Sequence, residues 1–140
     1  MTRADWQQIA EERLIAVQTL LAAHNWPSAY YLAGYAVECG LKSCVLAHVV
    51  MAPEVIFLEK RYSEKCWTHE IEELVKLAGL EAARGADTAA NAALGVNWLI
   101  VKNWTEKSRY QMKTQPEAQG LYNAIADNAN GVMQWIRVRW

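Results

Sequence analysis

Three prolines and seven glycines in 140 residues leave few places where a helix has to stop. Phenylalanine occurs once, against seven Trp and six Tyr, so nearly every large aromatic ring carries a polar edge. Neither sign of charge is in excess. Fourteen basic and 15 acidic side chains give a net charge of −1, which excludes a protein that coats polyanions. Three cysteines are too few, and odd in number, for a disulfide framework; reduced thiols in the cytoplasm are the expectation. The opening Met1-Thr-Arg-Ala-Asp-Trp6 has no apolar core of the signal-peptide kind. The longest uncharged stretch, Leu14 to Val37, is interrupted by Gln18, His24, Asn25, Pro27 and Ser28, so no membrane span is expected. No segment alternates with a strand's period, and no repeat or low-complexity tract appears.

What remains is apolar and helix-forming. Apolar residues make up 53% of the chain, enough for one domain over residues 1–140 with its own core. Trp6, Ile9, Ala10, Val17, Leu20 and Leu21 follow the 3.6-residue period, so residues 5–24 read as a first helix capped by Thr2 or Asp5. Pro27 opens a second helix running to about Val50, apolar nearly all round and therefore central. Pro53 ends it, and residues 53–67 read as a loop or short helix. Thr68 is the expected cap of a third helix that reaches Gly85, and Asp87 or Thr88 that of a fourth reaching Trp104. Residues 105–115 read as a basic loop. Pro116 starts a fifth helix with Ala118, Tyr122, Ile125, Ala129, Met133 and Ile136 on one stripe. The fold class is all-α: an antiparallel up-and-down bundle of four to five helices.

Charge is unevenly placed along this bundle. Residues 1–97 carry eight basic and twelve acidic side chains, and residues 98–140 six and three. A local anion-binding surface near the C-terminal end is the implication.

Two runs carry the chemistry. In the second helix, Tyr31, Tyr35, Glu38 and Lys42 stand at i, i+4, i+7 and i+11 and share one face. A carboxylate four residues before an ammonium is the favourable order for a helical ion pair, and a buried charge demands such a partner. The stripe reads either as a self-satisfied polar pair at a bundle or dimer interface, or as a surface facing a ligand or RNA. Gly34 and Gly40 each weaken the helix, so each is expected to admit another backbone at close range. The second run leaves the fourth helix as Trp104-Thr-Glu-Lys-Ser-Arg109-Tyr110, with Lys113 beyond it. Here Arg109 either binds phosphate, with Tyr110 as a stacking platform, or folds inward to neutralise Glu38. Glu38 is thus expected to contact Arg109 or Lys42, with Tyr31 or Tyr35 nearby as an added donor.

Together the helix Tyr31-Leu-Ala-Gly-Tyr-Ala-Val-Glu38-Cys-Gly-Leu-Lys42, the Trp67-Thr68-His69 lead into an Ile/Leu helix, and Arg109-Tyr110 before a Pro-started last helix resemble the HEPN family. These are the higher eukaryotes and prokaryotes nucleotide-binding domains, and the resemblance covers roughly residues 8–137. It implies an antiparallel helical bundle, a homodimer, and a partner of the minimal nucleotidyltransferase type in a toxin–antitoxin or defence setting. Some members of the family are ribonucleases that use Arg, four to six residues, then His, paired across the dimer. Here none of residues 110–116 is His, and no His follows His69. Without it the chain lacks the natural proton carrier for cleavage beside a ribose 2′-OH. The resulting expectation is a non-catalytic nucleotide- or RNA-binding assembly module with no cofactor. The alternatives are a ribonuclease using Arg109 with a non-His partner such as Tyr110 or Glu38, and a helical scaffold without ligand.

Cys44 and His48 at i, i+4, with Cys66 and His69 in Cys-x2-His spacing, have the ligand types of a tetrahedral zinc site. The same residues serve equally as plain core and helix cap, and no metal is expected. The Trp residues sit mostly at helical periods and read as core anchors; Trp67 and Trp140 are the least constrained by pattern.

Overall fold

The computed structural model describes residues 1–51 and 62–140. Among them are eight α-helices, one 3-10 helix and no strand. Helix α1 (Arg3–Ala22) begins at a capping box: Thr2 accepts from the Asp5 amide while the Asp5 side chain accepts from the Thr2 amide. A three-residue link, in which His24 takes a left-handed φ of 59°, turns the chain back into α2 (Trp26–Met51). So short a link makes the two helices an antiparallel hairpin.

Helix α2 is the axis of the bundle. It packs against α1, α4 (Ile71–Leu77), the 3-10 turn Glu106–Tyr110, α7 (Gln115–Ala126) and α8 (Val132–Arg137). Its residues Ala33, Ala36, Val37, Cys39 and Leu41 are fully buried, and each buried Leu or Val in this core contributes about 1.5–3 kcal/mol. Its two glycines do admit close neighbours, but these are side chains and not a second backbone. The Trp104 ring lies directly on Gly34, and Ile136 and Met133 lie on Gly40.

The expected third, fourth and fifth helices are each altered. Two short helices, α4 and α5 (Glu81–Ala90), replace the third. The break falls at Gly79, whose φ is +69° and whose missing Cβ leaves room for the His48 ring of α2. Thr68 does not cap the helix proper; its hydroxyl accepts from the Glu70 amide one step earlier. Gly85, Asp87 and Thr88 lie inside α5. The Thr88 hydroxyl donates back to the Arg84 carbonyl, and Asp87 accepts from Trp135 Nε1 and Arg139. Asn91 caps α6 (Ala92–Lys102) instead, by accepting from the Leu94 amide. The basic loop contains the 3-10 turn, and Thr114 with Glu117 forms a second capping box for α7. The last stripe is cut after Ala126. Asp127 accepts from the Ala129 and Asn130 amides, and a Cβ on Gly131 would collide with the Asp127 and Ile125 carbonyls. Ala129 therefore sits in a turn, and α8 starts afresh. Helix α3 (Tyr62–Lys65) is the described part of the 53–67 segment; the stop at Pro53 lies outside the described residues. Among the described residues no helix is long and apolar enough to cross a membrane.

Candidate functional site

Glu38 is 1% exposed, the most deeply buried charge among the described residues. Its Oε1 accepts from Lys42 Nζ at 2.8 Å, one helical turn on, and lies 2.9 Å from His69 Nδ1. The other imidazole nitrogen, Nε2, lies 3.3 Å from Glu106 Oε2 on the 3-10 turn. Lys42, Glu38, His69 and Glu106 thus form one chain of polar contacts across α2, the lead into α4, and the turn. A neutral imidazole can donate from only one nitrogen, whereas an imidazolium donates to both carboxylates. Lys42 Nζ also stands 5.1 Å from the Trp6 ring centre, within cation–π range.

Of the alternatives for Glu38, Lys42 is the partner and Arg109 is not. Neither tyrosine hydrogen-bonds Glu38; His69 takes that place. Tyr31 and Tyr35 stack on each other at 6.1 Å, and Tyr31 stacks on Trp104 at 6.1 Å. Burial first, then the neighbouring Cys39 and Glu38, raises the Tyr35 phenol above its ordinary value. The role of His69 was missed in the sequence because 31 positions separate it from Glu38. The signal was a core carboxylate with more acceptor positions than one lysine can fill; in the fold both donors reach Oε1, and Oε2 is buried without a hydrogen-bond partner among the described residues.

Arg109 points outward. Its guanidinium lies 4.8 Å over the Tyr110 ring, which is 80% exposed. Lys113 stands 4.4 Å over Tyr30, whose phenol is raised by burial and then by Glu117. The C-terminal positive charge is partly consumed within the fold. Arg137 makes a two-pronged pair with Glu11 at 2.7 and 2.8 Å, and Arg139 pairs with Asp87 at 2.8 Å. Lys102, Lys107, Arg109 and Lys113 have no ion-pair partner among the described residues. A cleft of about 410 Å³ beside the turn is lined by His69, Glu70, Lys102, Trp104 and Lys107.

The sulfur and imidazole groups do not converge. Cys44 Sγ contacts the Ile136 carbonyl at 3.9 Å, His48 packs on Gly79, Cys66 lines a separate cleft with Lys42 and Trp67, and His69 is held by carboxylates. Among the described residues no three His, Cys, Asp or Glu are grouped to hold a metal ion. Burial pushes the Cys39 thiol up to about 11 and the Cys44 thiol up to about 12. Both are inert hydrophobes at neutral pH and not nucleophiles. Trp98, Trp104 and Trp135 are buried anchors, whereas Trp67 is 80% exposed. No protein-family model, no curated protein and no solved structure matches the chain.

Proposed function

We propose that this chain is a non-catalytic, HEPN-like module that binds the phosphates of a nucleotide or RNA and assembles with itself and with a minimal nucleotidyltransferase. The observation that carries the reading is the cationic run Lys107, Arg109 and Lys113, none of them in an ion pair among the described residues, with Arg109 seated on an exposed tyrosine. A guanidinium fork offers parallel donors to phosphate oxygens, and the ring beside it offers a face to a base. The buried stripe supports the non-catalytic side of the reading. Glu38 and Lys42 are spent on each other inside the bundle, and His69 is engaged at both nitrogens.

The test is binding of a fluorescently labelled single-stranded RNA and of ATP, read by anisotropy across salt concentrations. Arg109→Ala and Lys113→Ala are each expected to weaken RNA binding by about tenfold and to reduce the salt slope by about 0.7 per lost phosphate contact. Tyr110→Ala weakens it with no change in slope. Absence of binding to either probe, or binding indifferent to all three substitutions, overturns the proposal. RNA cleavage abolished by Arg109→Ala would replace it with the ribonuclease reading, in which Arg109 acts with Tyr110 or another non-His group.

A further inference from the structure

Helix α6 has two apolar faces. Leu94, Trp98 and Val101 point into the core, while Val96 and Leu99 are 56% and 54% exposed and Ile100 lies beside them. The outer face of a surface helix ordinarily carries polar residues; this one carries a ridge of branched aliphatics. A groove runs along each side of the ridge. One, of about 540 Å³, lies toward α5 and includes Gly85 and Gly95; the other, of about 460 Å³, lies toward α7 and includes Gly120 and Asp127.

Glycine inside a helix is destabilising relative to alanine, so each helical glycine asks for a reason. Gly34 and Gly40 have theirs in the side chains that cover them. Gly85 in α5 and Gly120 in α7 have none: a Cβ at either position meets nothing within 4 Å. The space they hold open is not used by the chain itself, and both lie in the grooves beside the exposed ridge.

We infer that the α6 ridge and its flanking grooves are the contact surface for a second copy of this chain. The inference rests on the homodimer part of the reading above and gives that dimer a surface. A two-fold interface requires one patch to present both the projecting and the receiving shape, and this patch does. Its charges agree. Lys102 closes the C-terminal end of α6. Asp127 marks the other end, because its carboxylate holds the Asn130 amide and Asn130 accepts from Asn91, the α6 cap. Neither charge makes an ion pair among the described residues, although Lys102 also acts on Glu72 from a distance. A two-fold axis through the ridge runs the two α6 helices antiparallel and brings the lysine end of each to the aspartate end of the other. An unrelated partner requires no such self-complementarity.

Sedimentation velocity over a concentration series, with circular dichroism on the same samples, tests this. The native chain is expected to be a dimer at tens of micromolar, and Leu99→Glu a folded monomer. The double variant Gly85→Ala, Gly120→Ala supplies the second readout, since the two substitutions favour helix and fill the grooves. Its monomer is expected to melt higher than the native monomer, while its dimer dissociates about tenfold more readily or beyond. A purely structural role for the glycines moves melting and leaves association alone. A native monomer overturns both the dimer and this surface. A native dimer indifferent to Leu99→Glu and to the glycine pair overturns the surface and leaves the dimer standing.

Discussion

Glu38→Gln removes one negative charge and almost no volume from the centre of the bundle. Glu38 Oε1 serves two donors, Lys42 at 2.8 Å and His69 at 2.9 Å. The two losses differ in weight. The His69 side chain is 46% exposed, so water replaces much of its contact, and that part is worth about 1 kcal/mol or less. Lys42 is only 9% exposed, and a hydrogen bond between charged groups at such a site is worth about 1.5–3 kcal/mol. The amide oxygen of Gln can still accept from one donor, which keeps the cost below the roughly 3–5 kcal/mol of stranding a buried charge outright. The expected destabilisation is therefore about 2–3 kcal/mol. Urea unfolding followed by tryptophan fluorescence measures it, as a lower midpoint with an unchanged slope.

A double-mutant cycle with Lys42→Met isolates the pair. If the ammonium and carboxylate satisfy each other, the double variant loses less than the two single variants added together, by about 1–3 kcal/mol. Two results refute the reasoning: a Glu38→Gln cost under about 0.5 kcal/mol, or strict additivity in the cycle. Either would mean that solvent reaches Glu38 and that the stripe is an exposed surface.

Gly34→Ala places a methyl inside the Trp104 ring, and overpacking of this kind costs about 1–3 kcal/mol or more; a shifted Trp104 fluorescence accompanying a lower urea midpoint reads it out. Arg84 holds Glu72 by two bonds of 2.6 Å, which lowers the Glu72 carboxyl. The pair's contribution is whole above the ordinary glutamate value of about 4.3 and is lost as pH falls below it. At 44% exposure of Glu72 that contribution stays under about 1 kcal/mol, and Arg84→Met should flatten this part of the acid limb of the stability profile. Native-state labelling with a thiol reagent at pH 8 should modify Cys66 first and leave Cys39 and Cys44 untouched until unfolding, because burial raises those two thiols to about 11 and about 12.

The all-helical bundle and its central α2 were legible because periodicity is local information. An apolar run with Ala33, Ala36, Val37 and Leu41 on all sides has nowhere to go but inside. Helix ends were less legible where a cap-forming side chain had a better use. Asp87 is spent on Trp135 and Arg139, contacts 48 and 52 positions away. No reading of residues near Asp87 reveals that its carboxylate is already taken, so the cap moved to Asn91. Gly85 misled in the other direction: it read as a stop, but nothing in the helix interior obliges a glycine to end a helix.

For the site, the limit has the same physical origin. The i, i+4 pairing of Glu38 with Lys42 lies within one helix and was read from spacing alone. A carboxylate has about four lone-pair positions, and spacing cannot say which distant donor fills the rest. Arg109 and His69 were both eligible, and the fold decided between them. The 3-10 turn carries Arg109 out over Tyr110, and the lead into α4 carries His69 onto Glu38. That choice has a consequence for function. Had Arg109 gone inward, the run from Lys107 to Lys113 would lose its only guanidinium. By giving the core carboxylate a histidine, the fold leaves the Arg109 guanidinium at the surface, where the proposed phosphate binding requires it.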